Sequence, residues 1–210
     1  MVGAKSGYNN SGAGITGGVT NIENWEQYGL VYALGKALRN RWSWAGETHI
    51  QKTGYFLQEL LRAPLGCRFI LYKHGPFSFD LRDTLAAMEA LELIGWEPRP
   101  APYGPSIVPG PQSKFLGALS TSPKIYRAQI DYVADRLAGR QVVELERLGT
   151  ALYVTLEAET SPEDRAKEIV RLKPHVDPAD ARLAVEDLDR ILAEVNEKQL
   201  AVRTRSAGSA

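Results

Sequence analysis

From Cys67 to Leu85 the chain reads CRFILYKHGPFSFDLRDTL, and no other stretch limits the fold as tightly. Phe69, Ile70, Leu71 and Tyr72 are β-favouring residues in a row, which predicts a short strand. Gly75-Pro76 stops it, because proline has no amide hydrogen to offer a ladder and glycine tolerates a sharp turn. Ser78 is then placed to cap a helix in which Leu81, Leu85 and Met88 keep the 3.6-residue period, with Leu91 and Leu93 beyond and Gly95 as its stop.

The flanking segments are mostly helical. Asn24 is a candidate cap for a first helix whose Leu30, Leu34 and Leu38 share one face. THIQ at 48–51 reads as a capping box opening a second helix that turns Ile50, Leu57, Leu60 and Leu61 inward and ends at Pro64 and Gly66. WEPRPAPYGPSIVPGP holds six prolines in sixteen residues, which excludes a central strand and predicts an exposed, proline-stiffened hairpin or irregular loop.

Further on, Ser122, Ser161 and Asp177 each precede a proline, the N-cap then N1 arrangement of a helix start. Four amphipathic runs occupy this half: Ile130, Val133, Ala134 and Leu137; Leu145, Leu148, Leu152 and Leu156; Ile169 and Val170; and Leu183, Leu188, Ile191, Leu192 and Val195. The chain therefore reads as mainly α with a small β component. Periodicity does not decide whether the second half stands alone or rests on the first.

Acidic and basic residues balance at 25 each, so no global field draws the protein to DNA or an anionic membrane. Cys67 is the single cysteine, which excludes an internal disulfide framework and fits a reducing cytoplasm. No apolar run approaches the roughly 20 residues of a membrane span, and no signal-peptide profile opens the chain. Residues 1–20 are Gly-, Ser- and Asn-rich and read as a flexible arm, as does the tail over 197–210. Gly12, Gly14 and Gly17 match G-x-G-x-x-G in form, but without the preceding strand and following helix that a phosphate loop needs.

The order helix, helix, strand, helix, proline-rich hairpin is that of a winged helix-turn-helix, here over 21–115, with a helical extension over 120–196. IQKTGYFLQELL followed by YKHGPFSFDLRDTLAAMEALELI resembles the paired motif of the bacterial YwgA-like proteins and, more distantly, of the Panacea or SocA-like antitoxin domain. ELERLGTALYV and EIVRLKPHVDPADARLAVEDLDRI are similar to the helical tail of the YwgA-like group. Two features depart from that pattern: His74 stands where an aromatic residue usually precedes Gly-Pro, and the N-terminal arm has no counterpart. The resemblance implies a winged-helix fold and an antitoxin-like or phage-defence role, with a partner protein such as a toxin or defence effector and no catalytic residues.

The chemistry read from residues agrees with a non-enzymatic protein. His49, His74, His175 and Cys67 lack zinc spacing, and neither a nucleophile elbow nor a Cys-His signature is present, so no catalytic, metal or cofactor residue is assigned. Cys67 beside a strand reads as a small buried residue, and His74 as a turn histidine bonding nearby backbone. Asp187 and Asp189, roughly 200° apart on a helix, do not converge and, with Glu186 and Glu194, read as a solvated face. The candidate recognition helix carries Asp80, Asp83, Glu89 and Glu92 against Arg82, the wrong charge for reading a groove. Asp80, Arg82, Asp83, Trp96 and Tyr103 are therefore the candidates for contacting a partner protein. The alternative is a DNA-binding regulator contacting phosphates through Lys52, Arg62, Arg68, Lys73, His74 and Arg99. Self-association is compatible with either.

Overall fold

The computed structural model describes residues 22–101, 104–158 and 160–201; the expected arm over 1–20, the tail beyond 201 and Tyr103 lie outside the described residues. The fold is mainly helical with two small antiparallel sheets. Helix α1 spans Ile22–Arg39, α2 Glu47–Tyr55, and α2 continues as a π-helical turn over Phe56–Leu60. Strands β1 (Ile70–Tyr72) and β2 (Gly75–Phe77) precede α3 (Phe79–Ala90), and β3 (Ile94–Glu97) and β4 (Ser106–Pro109) follow it. After a 3-10 turn over Pro111–Phe115 come the short helices α4 (Leu116–Leu119) and α5 (Ser122–Ile125), then α6 (Arg127–Leu137), α7 (Val142–Glu157), α8 (Pro162–Leu172) and α9 (Pro178–Glu197).

Gly75-Pro76 is a strand, not a corner. β1 and β2 pair Ile70 with Phe77, Leu71 with Pro76 and Tyr72 with Gly75, so the turn is Lys73-His74. Across a two-residue turn the flanking pair is the hydrogen-bonded one, which puts Pro76 at a position whose missing amide hydrogen is not needed. Gly75 takes φ +80°, and a Cβ there would come within 3.0 Å of the Glu146 carbonyl on α7, so a close helix approach as well as the turn demands glycine.

Ser78 caps α3 as expected, its Oγ accepting the Leu81 amide at 3.2 Å, and Ser161 and Asp177 cap α8 and α9 in the same way. Other starts and stops differ from expectation. Asn24 lies inside α1, and Gly46, not Thr48, precedes α2. Gln51 bonds no amide of its own helix; it is buried and clasps Ser78, donating to its carbonyl and accepting from its amide at 2.9 Å each. Ser122 lies within α5 rather than capping it. The Glu26 carboxylate on α1 reaches across to accept the Thr121 and Ser122 amides at 2.9 and 2.7 Å. α3 ends at Ala90 with Glu92 at φ 54°, while Gly95 sits in β3 opposite Val108.

The two halves share one hydrophobic core. Leu30, Leu34 and Leu38 of α1, Ile50 and Leu57 from α2 and its π turn, and Leu81, Leu85 and Met88 of α3 belong to the same buried cluster as Ile130, Leu137, Leu145, Leu148 and Ile169. α1 rests on α4, α5 and α6, and α7 lies across α2 and β2. Each fully buried leucine contributes on the order of 2 kcal/mol, so neither half would keep this core without the other. Leu156 and Leu183, expected to face inward, are exposed. Of the four α9 carboxylates expected to be solvated, Glu186 is exposed, and the other three are ion-pair partners: Asp187 of Arg140, Asp189 of the buried Arg165 through two bonds of 2.8 Å, and Glu194 of Arg136. Asp187 and Asp189 thus point to different elements, the α6–α7 connection and α8, and as expected do not converge.

Candidate functional site

The segment RWSWAG joins α1 to α2. α1 ends in a Schellman turn: Ser43 donates its amide to Leu38 and Trp42 donates to Arg39, at 3.1 and 3.0 Å. That geometry needs a left-handed residue and usually recruits glycine; here Trp42 fills it at φ 63° and stands 93% exposed. A bulky residue in this region costs roughly 1 kcal/mol or more, strain of the kind that collects at functional positions.

Trp44 and Trp96 complete an aromatic wall. Gly46 bridges to Ser106, Ile107 donates its amide to Ala45 at 3.1 Å, and Trp96 pairs with Ile107, so the β3–β4 hairpin is tied to the α1–α2 connection. Arg99 is fixed by a 2.9 Å bond to Ser106 Oγ, and its guanidinium lies 5.5 Å from the Trp44 ring centroid. A groove of about 810 Å3 is lined by these tryptophans together with Arg140 from the α6–α7 connection and Val142 and Val143 from the start of α7. His49 spans the floor: its Nε2 lies 3.1 Å from the Arg140 carbonyl, which requires the proton on that nitrogen. Burial holds its pKa below the ordinary histidine value, favouring the neutral ring. A groove of two exposed indoles, a half-buried third, a neutral imidazole and two valines, with Arg140 occupied by Asp187, suits apolar contact.

The expected site residues scatter. Trp96 lines the groove; Asp80, Arg82 and Asp83 stand apart on α3. Asp80 is partly engaged, accepting the Arg68 amide at 2.8 Å, and Arg82 lies over the Phe79 ring at 5.0 Å. Arg62 and Arg68 are exposed, and Arg99 belongs to the groove. Lys73 and His74 are exposed at a second, smaller cavity, and His74 Nδ1 lies 3.5 Å from Glu146 rather than bonding backbone. Lys52 cannot meet a phosphate: it is 2% exposed and donates to the Pro76 carbonyl at 2.7 Å. Cys67 is buried, as expected, and burial pushes its thiol up to about 11.

Trp42, Trp44 and, with them, Arg140, Val142 and Val143 were not expected. Two tryptophans in a short interhelical segment are the one local signal that would have found the first pair. Among the described residues no group of three or more His, Cys, Asp or Glu is placed to hold a metal ion, and no helix is long and apolar enough to cross a membrane. No protein-family model matches the chain, and a search of curated proteins finds no match.

Proposed function

We propose that this chain is a non-enzymatic regulatory protein that binds a partner protein stoichiometrically, and that the tryptophan groove receives an apolar segment of that partner. The observation that carries the reading is Trp42, a fully exposed indole held in a strained turn beside two further tryptophans. Left in water, that ring forgoes on the order of 2 kcal/mol of burial, and rigid aromatic anchors are what protein interfaces use as hot spots. The motif resemblance makes an antitoxin-like or defence-associated role in the cytoplasm the natural setting. A winged-helix core is supported by element order: Gly46, bridged to Ser106, stands where that fold has its first strand, α2 and α3 follow, and β3–β4 is the wing. DNA reading is less well supported, because Lys52 is buried and the exposed side of α3 carries Asp83 and Glu89 against Arg82, with Glu92 just beyond its end.

The test is co-expression with the product of the adjacent gene, with complex mass measured by light scattering. Trp42→Gly suits the left-handed turn, so its stability should stay within about 1 kcal/mol of the parent. The same change should abolish the stoichiometric complex. A complex of unchanged affinity in Trp42→Gly and in the Trp42→Gly/Trp44→Ala pair would refute the groove as the docking site.

A further inference from the structure

The second cavity, of about 360 Å3, lies between the Lys73-His74 turn, α7 and the segment joining α8 to α9. Its walls are unusually basic. Lys73 and His74 come from the turn, Arg147 from α7, and Lys173 and His175 from the α8–α9 segment; Glu146 is the carboxylate among the lining residues. Arg147 is neutralised by Asp180 at 2.7 Å. Lys173 is 8% exposed, and its ammonium is held by the Tyr72 and Lys73 carbonyls, the latter at 3.0 Å. Behind the hairpin the buried Lys52 adds a second ammonium, which feels both Glu146 and Lys173.

The positive charge is not balanced from within. Lys73 and Lys173 line the cavity with the single carboxylate of Glu146, and with Lys52 behind them the three ammonium groups leave an excess of two positive charges. Burying ammonium groups without counter-charge is costly, and desolvation lowers the pKa of Lys52 and Lys173 alike. An anion in the cavity would relieve that imbalance, and a doubly charged one matches it.

We infer that this cavity binds a small phosphate-bearing molecule, the dianion sitting among Lys73, Lys173 and His175. Ammonium groups bind phosphate as point charges, and a cavity of this size has room for a phosphate with a small organic body. Val143 lines both this cavity and the tryptophan groove, so the ligand would lie one side chain from the partner site; its binding does not depend on the groove's role.

The probe is inorganic phosphate, titrated at constant ionic strength against the chloride salt while the imidazole proton resonances of His74 and His175 are followed by NMR. A saturable shift in the parent, weakened at least tenfold in Lys73→Ala, is expected. Lys73 is exposed, so that variant keeps the fold. His175→Ala, also exposed, should weaken binding similarly. A shift that merely follows salt, or a saturable one indifferent to both substitutions, overturns the inference. A second arm adds a short DNA duplex: tight duplex binding lost in Lys73→Ala, with no saturable response to free phosphate, would reassign these residues to a nucleic-acid backbone.

Discussion

Replacing Lys52 with methionine tests the charge balance of the interior directly. The ammonium sits beneath the β1–β2 hairpin, and burial, opposed by Glu146 and reinforced by Lys173, lowers its pKa from 10.5 to about 8. At about 1.4 kcal/mol for each pH unit between those values, carrying the charge costs the fold about 3 kcal/mol at neutral pH. Below pH 8 the folded and unfolded chains both hold the proton and the full penalty applies. Between about 8 and 10.5 the folded chain releases it while the unfolded chain keeps it, so stability rises with pH. Above 10.5 both are neutral and the penalty is gone.

Methionine fills the same space without the charge but leaves the Pro76 carbonyl without its donor, a loss of about 1–3 kcal/mol. Lys52→Met should therefore match or exceed the parent by up to about 2 kcal/mol near pH 7. Near pH 10 the parent has recovered about 2.5 kcal/mol and its neutral amine still donates to Pro76, so the order reverses. Urea unfolding followed by far-UV circular dichroism at several pH values measures the difference. A difference that stays flat from about pH 7 to about pH 10 would refute both the burial of the charge and its depressed pKa.

Gln51→Ala should cost roughly 3 kcal/mol in urea unfolding, because it orphans the buried amide and carbonyl of Ser78 together; a loss under about 1 kcal/mol would mean water replaces the clasp. Glu26 accepts the Ser122 and Thr121 amides, which hold its carboxyl at about 2, well below the ordinary 4.5. Its contribution is present above about pH 4.5 and lost as pH falls through 2. The stability gap between the parent and Glu26→Gln, on the order of 1 kcal/mol after solvent screening, should thus close over that window, and a gap independent of pH would contradict it. Burial and a thiol raised to about 11 predict that Cys67 resists Ellman's reagent at mild pH until urea unfolds the chain; prompt labelling of the native protein would show the site open.

The parts of the fold legible in the sequence are those whose partners are local. Ser78, Ser161 and Asp177 cap helices that begin next to them, and the leucines of α1, α3 and α6 turn inward because neighbouring turns fix their face. Helix ends misled because glycine is not what stops them. Trp42, Glu92 and Gln199 each take the left-handed position of a Schellman turn, so tertiary contacts carry a strain that the glycine rule assumes is avoided. Gln51 and Glu26 looked like residues for their own helices, yet each serves backbone far along the chain. The groove follows the same logic: Trp96 was visible within the hairpin, but the groove is also lined by Val142 and Val143, which no spacing rule connects to RWSWAG. Charge is the sharpest case. Lys52 reads as a surface base fit for phosphate, but two residues earlier Ile50 is core, and the helix that buries it carries Lys52 under the hairpin as well. An ammonium there cannot serve as a phosphate contact; it fastens Pro76 and, with Lys173, leaves the neighbouring cavity short of negative charge.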